Sequence, residues 1–181
     1  MENREADPTH TKVSRRAFFG AAAAGVSPFL FAGCGASDKG DGPGDGAEET
    51  IRIVSSLPRT GSAKGQTNTI VHGIQMAIDE YNGKVGNFKI DYKDWDDATA
   101  ANGGWDGPTE KANAQKAAAD PDVMAYIGPY NSNAAKISMP ELNEAGLVQI
   151  SPAVTWPGLT KKIKGVAPDE PEKYRPAKKK T

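Results

Sequence analysis

Cysteine and histidine are nearly absent from this chain. Its 181 residues hold one cysteine, Cys34, and two histidines, His10 and His72. A single cysteine excludes an internal disulfide and any cysteine-built metal cluster. The two histidines leave little room for a zinc hydrolase or a histidine-based triad. His72 sits inside a helical pattern with nothing at metal-ligand spacing beside it, which makes it a structural or solvent-facing residue. An excess of charge of one sign is also missing: 22 Lys and Arg against 23 Asp and Glu leave a net charge of −1. Overall electrostatics therefore argue against a nucleic-acid partner. Nor does any stretch supply the roughly 20 strongly apolar residues that a membrane crossing needs. What remains has room for one ordinary domain.

The beginning of the chain is an address rather than a fold. A polar stretch over residues 1–13 leads into Ser14-Arg15-Arg16-Ala17-Phe18-Phe19, which resembles a twin-arginine export signal. A weakly apolar run from Ala17 to Gly33 follows, interrupted by glycines and Pro28, and it ends in Phe31-Ala32-Gly33-Cys34. That tetrad resembles a lipobox, in which Cys34 becomes the first mature residue and carries lipid. Residues 1–33 are thus read as a signal peptide. Residues 34–49, rich in Gly, Asp and Glu, form a tether, because glycine and like charges keep a chain extended and unpacked. A phosphate-binding reading of these glycines fails, since acidic side chains repel phosphate and no strand precedes them.

From Thr50 the pattern becomes that of a folded domain. Ile51, Ile53, Val54 and Leu57 predict a strand ending at Pro58. The loop from Arg59 to Gly65 contains Lys64 but lacks the residue order of a nucleotide-binding loop. Ile70, Val71, Ile74, Ala77, Ile78 and Tyr81 recur at three- and four-residue spacing, predicting a helix over about Gln66 to Asn82. Gly73 inside it implies close packing against a strand, to offset the stability glycine costs in a helix. Phe88, Ile90 and Tyr92 alternate with charged residues in a second strand that ends in Asp94-Trp95-Asp96-Asp97. Three carboxylates there can hold a magnesium ion or simply cap the next segment and stay solvated. Pro108 suits the first position of a helix reaching Ala119.

Two strand-to-helix turns then follow in succession. Val123 to Ile127 breaks at Gly128-Pro129, and Asn131 and Ser132 open a helix in which Pro140 predicts a kink or restart. Leu147 to Ile150 breaks at Ser151-Pro152 and delivers Ala153, Val154 and Thr155. Strands alternating with helices predict an α/β fold with a doubly wound parallel sheet. In such a sheet ligands bind beyond the carboxyl ends of the strands, and helix N-termini there suit an anionic group. Beyond Thr160 a basic, proline-bearing stretch shows no apolar periodicity. It reads as a solvated tail, with anionic lipid or nucleic acid as the alternative contact.

In order and spacing, the strand with LPRTG, the strand ending in DWDD, IGPYNS and ISPAVTWPGLT resemble the first lobe of type I periplasmic binding proteins. The branch they are most similar to is that of the leucine/isoleucine/valine receptors of ABC importers. The resemblance covers about Ile51 to Lys162. It implies residues 50–162 as the N-terminal lobe of a ligand-binding domain, with residues 163–181 starting the connection to a second lobe that this chain does not supply. It implies no cofactor and no catalysis. The implied partners are a small-molecule ligand (an amino acid) and an ABC permease, with the protein attached to the membrane through lipid on Cys34 and exported to the periplasm or the outer face of the cytoplasmic membrane. Carried over to this sequence, Ser132 would offer its hydroxyl and N–H to the ligand's carboxylate. The backbone of Ala153 and the hydroxyl and N–H of Thr155 would complete the clasp, flanked by Asn131 and Tyr130. Lys64 falls near a lid position. Residues 102–108 look inserted, and Trp156 stands where it would narrow the pocket. Other readings of the same residues are a sensor lobe reporting to a membrane partner, a magnesium-dependent enzyme using Asp94, Asp96 and Asp97, and a truncated remnant.

Overall fold

In a computed structural model, residues 49–165 and 167–177 are described. The proposed signal peptide, Cys34 and all of the tether except Glu49 lie outside them. Strand β1 (Glu49–Leu57) is followed by helix α1 (Lys64–Glu80), the short β2 (Lys84–Val85) and β3 (Phe88–Asp96). A two-stranded hairpin comes next, β4 (Ala98–Thr99) with β5 (Gly104–Trp105), then α2 (Gly107–Ala119) and β6 (Val123–Ile127). The chain continues through α3 (Ser132–Ala145) and β7 (Val148–Ile150) to short 3-10 turns at Pro157–Leu159 and Glu172–Tyr174.

The main sheet has the order β2-β3-β1-β6-β7. β1 runs parallel to both β3 and β6, and β6 runs parallel to β7, whereas β2 is antiparallel at the edge. This is the doubly wound α/β arrangement that the strand–helix alternation predicts. Helices α2 and α3 cover one face. There Val54, Ala114, Ala117, Val123, Tyr126, Leu142 and Leu147 form the buried core.

Helix α1 lies on the opposite face, which it covers incompletely. An apolar cavity of about 500 Å³ opens between α1 and the sheet, lined by Ile53, Ile70, Ile74, Ile78, Ile90 and Ile127 among others. Gly73 is exposed, and a Cβ built on it meets nothing within 4 Å. The close strand contact expected for that glycine is therefore absent. His72 is likewise exposed.

Local chemistry explains the remaining boundaries. Asp106 caps α2: its carboxylate accepts from the Thr109 N–H at 3.0 Å and the Thr109 hydroxyl at 2.7 Å, with Pro108 in the first turn. Helix α3 ends at Gly146 in the left-handed conformation, the usual helix stop. Pro140 neither ends nor restarts α3, which runs through it from Ser132 to Ala145. A helix tolerates an interior proline when its tertiary packing outweighs one lost hydrogen bond. Here Met139 and Leu142, on either side of Pro140, are both buried. The segment that looked inserted supplies strand β5 and, just before it, Gly103, whose carbonyl accepts from the Ser62 N–H at 3.1 Å.

The stretch after Thr160 departs from its reading as a solvated tail. Glu170 and Tyr174 are only 4% and 6% exposed. The Tyr174 hydroxyl donates to Glu170 Oε1 at 2.6 Å, and Trp156 Nε1 donates to Oε2 at 3.0 Å. Tyr174 packs with Ala135, Met139 and Leu159. Two aromatic anchors and one shared carboxylate hold this segment against α3, a contact invisible to periodicity because Trp156 precedes one short 3-10 turn and Tyr174 ends another, neither long enough to carry an apolar period.

Candidate functional site

The carboxyl ends of β6 and β7 bring the two small-polar turns together. At the end of β6, Gly128 packs directly on β1. A Cβ built there would lie 2.3 Å from the Ser56 carbonyl oxygen, and φ is +132°. Only glycine suits that backbone. The chain then passes through Pro129, Tyr130 and Asn131 into α3. Asn131 occupies the N-cap position but makes no side-chain cap hydrogen bond, and its Oδ1 is buried without a partner. The helix therefore begins at Ser132 with its first-turn N–H groups unserved by the usual cap.

Ser151 fastens the second turn to the first. Its hydroxyl donates to the Pro129 carbonyl at 2.7 Å and accepts from the N–H groups of Ala153 at 3.3 Å and Val154 at 3.0 Å. The Thr155 N–H in turn donates to Ser132 Oγ at 3.3 Å. Ser132 and Thr155, 23 residues apart in sequence, thus meet, and Ser151 holds Ala153 in the same turn as Thr155. Beneath them, Gln149 Nε2 donates to the Gly128 carbonyl at 3.1 Å and to Ser138 Oγ at 3.0 Å.

Tyr130 reaches sideways to α1, where its hydroxyl donates to Gln66 Oε1. Gln66 therefore joins the first turn of α1 to the site, and sequence reasoning passed over it in favour of Lys64. Lys64 begins α1 and is exposed. No contact of Lys64 with the two turns is found among the described residues. The signal that would have found Gln66 was the register of α1, whose start falls two residues earlier than the apolar period suggested. Ser151 was also missed, having been read as a strand terminator rather than a staple.

Trp156 donates its indole N–H to Glu170, with Lys136 Nζ 4.9 Å from its ring centroid. Together with Gln149, Ser151, Thr155 and Lys161 it lines a cavity of about 470 Å³.

The carboxylates at the end of β3 are tied into structure. Arg59 Nε donates to Asp94 Oδ2 at 2.9 Å and Ser55 Oγ to Oδ1 at 3.0 Å. Asp96 accepts from the N–H groups of Arg59 and Ala98, each at 2.8 Å, and from the Thr60 hydroxyl at 2.6 Å. These bonds hold the Asp96 carboxyl below its ordinary range against the opposing effect of burial. Asp97 is fully buried rather than solvated, with both oxygens lacking a partner, and burial pushes its carboxyl up to about 7. Such a strand end works as a stitch between β3 and the loop after β1. Among the described residues no group of three or more acidic, histidine or cysteine side chains is placed to hold a metal ion.

No protein-family model and no curated protein matches the chain. Solved structures do. A branched-chain amino acid transporter substrate-binding protein from Streptococcus pneumoniae, in complex with isoleucine, is 26% identical with a TM-score of 0.54. The match covers 62% of this chain and 31% of that one. An ABC transporter substrate-binding protein from Desulfitobacterium hafniense, in complex with leucine, is 28% identical with a TM-score of 0.51, over 62% of this chain and 31% of that one. A solute-binding protein of an ABC transporter from Rhodopseudomonas palustris, in complex with 3,4-dihydroxybenzoic acid, is 24% identical with a TM-score of 0.51. It is covered over 27% of its length by 58% of this chain, and at that identity it speaks to the fold alone. The chain spans about a third of the length of the structures it matches. Over that third it has the periplasmic-binding-protein-like type I fold, and its structural neighbours are the substrate-binding proteins of branched-chain amino acid ABC transporters, which are transport proteins rather than enzymes.

Proposed function

We propose that this chain supplies the first lobe of an extracytoplasmic solute-binding lipoprotein of an ABC importer, and that it holds a small solute bearing a carboxylate, such as a branched-chain amino acid. The observation that carries this reading is the junction of the two turns. There Thr155 N–H meets Ser132 Oγ at 3.3 Å, beside the opening turn of α3. The helix N-terminus favours negative charge, and the Ser132 hydroxyl and the Thr155 N–H meet beside it. The ligands named with the neighbouring structures above 25% identity are isoleucine and leucine. Both carry a carboxylate, and that is the group this clasp suits.

In this proposal Ser132 and Thr155 donate to the carboxylate, and the Ala153 backbone completes the clasp. Asn131 and Tyr130 flank the clasp, and Lys64, exposed at the head of α1, takes at most a rim position. A single lobe leaves much of a ligand in water, so tight binding needs a second wall. The resemblance of the leader to an export signal, and of the tetrad ending in Cys34 to a lipobox, supports a protein at the outer face of the cytoplasmic membrane, where a permease receives the solute.

Titration calorimetry with leucine, isoleucine, valine and 4-hydroxybenzoate tests the reading on the protein extracted from its native membrane. Ser132→Ala and Thr155→Ala should each weaken binding about 10- to 150-fold, because a hydrogen bond to a charged group contributes about 1.5–3 kcal/mol. Unchanged affinity in both variants would remove the assignment.

A further inference from the structure

Beneath the clasp lies a polar network enclosed by the apolar core, and its centre is Glu110 in the first turn of α2. Glu110 is fully buried. Ser56 Oγ donates to its Oε2 at 2.6 Å, and the Tyr126 hydroxyl donates to Oε1 at 3.1 Å. Ser138 on α3 also lies against the carboxyl, and Asn113 Nδ2 donates to Ser56 Oγ at 3.0 Å. Each partner leads to the turn after β6. Ser56 is the residue whose backbone Gly128 packs against. Tyr126 stands two positions before Gly128. Ser138 and the Gly128 carbonyl share the amide of Gln149.

The groups facing Glu110 carry no positive charge. From β1 there is Ser56; just after β3, the unpartnered, buried Asp97; from α2, Asn113 by way of Ser56; from β6, Tyr126; from α3, Ser138; from β7, Gln149 by way of Ser138. Nearby lysines are engaged elsewhere: Lys111 with Glu141 at 3.7 Å and Lys116 over the Trp95 ring at 4.3 Å. A buried carboxyl with no cation and a second buried acid close by is costly to ionise. Hydroxyl partners can turn to accept, so the same contacts serve an uncharged acid.

We propose that Glu110 is a positioning residue for the Gly128–Ser132 turn, bracing it through Ser56, Tyr126 and Ser138–Gln149 as an uncharged acid, and that loss of its proton at alkaline pH loosens the turn. Burial pushes the Glu110 carboxyl up to about 8, above its ordinary 4.5. Native Glu110 therefore holds a proton that the unfolded chain has already lost. Stability is complete below about pH 4.5 and falls as pH rises, levelling off above about pH 8. One proton amounts to as much as tenfold in the folding constant per pH unit. The effect on the turn needs no ligand; only its expression as weaker solute binding rests on the function proposed above.

The experiment compares the full chain with Glu110→Gln between pH 5 and pH 9. Urea unfolding gives the folding constant, and amide hydrogen exchange at residues 128–132 reports the turn. The expected result is a wild-type folding constant that falls, relative to Glu110→Gln, by up to tenfold per pH unit to about pH 8. Exchange at 128–132 should accelerate in the wild type alone once scaled to the variant. Parallel pH profiles would overturn the proposal. Should Glu110→Gln fail to fold, the Glu110 carboxyl carbon is followed by NMR in the wild type: a midpoint above pH 7 upholds the proposal, and one near 4.5 defeats it. Leucine titrated at pH 6 and pH 8.5 separates the two ideas. Absence of binding at both values counts against the solute reading and leaves the exchange result standing.

Discussion

Replacing Gly128 by alanine probes the join between the core and the two turns. Two separate costs apply. Backbone at φ +132° belongs to a region that side-chain-bearing residues rarely adopt, worth about 1–3 kcal/mol. The added methyl would also sit 2.3 Å from the Ser56 carbonyl oxygen and 3.2 Å from its carbon. Those atoms are backbone in the middle of the sheet, so no side-chain rotation relieves the clash, and overpacking of this kind costs about 1–3 kcal/mol. The sum, about 2–6 kcal/mol, is a large share of the 5–15 kcal/mol that typically holds a domain together. Urea unfolding followed by circular dichroism reads it directly. With a slope of about 2 kcal/mol/M, the midpoint should drop by about 1–3 M. A midpoint within about 0.2 M of wild type would mean that β1 and the Gly128 turn are not packed as described. The variant also separates stability from function: Ser132 lies only four residues on, so solute binding should weaken even at urea concentrations where the protein stays folded.

Two further predictions follow from different parts of the chain. Gly73→Ala should raise the same unfolding midpoint, because an exposed helical glycine with nothing within 4 Å of its added Cβ gives back about 0.5–1 kcal/mol when replaced by alanine; a lowered midpoint would show that another segment packs against that face of α1. Metabolic labelling with a radiolabelled fatty acid should mark the protein and should lose the mark in Cys34→Ala, and equal labelling of both would refute the anchor.

Sequence alone determined the long strands and helices and their order, though not the short β2, β4 and β5. Alternating apolar strands, the three- and four-residue spacing over Ile70 to Ile78, the Pro108 helix start and the Gly128 and Ser151 breaks all act within a few residues, so the chain announces them locally. The parallel doubly wound sheet followed from that order, since strands separated by helices have few other ways to pair. The closeness of Ser132 and Thr155 was legible only through resemblance to a known family.

Other features required the tertiary structure because they depend on what arrives from a distance. Asp97 and Asp96 are neighbours with the same side chain, yet one is bonded by the Arg59–Thr60 loop and the other is buried without a partner. Glu110 reads as an ordinary acidic residue in a helix's first turn until β1, β6 and α3 close over it. Gly73 looked like a packing glycine and is exposed, because a helical period tells which residues share a face but not how much of that face is covered. Glu170 and Tyr174 looked like tail and became anchors, since the indole of Trp156 supplies the donor that keeps a carboxylate in place there. Periodicity fixes the direction in which a side chain points, whereas burial, charge state and partners are set by whatever the rest of the chain places opposite it.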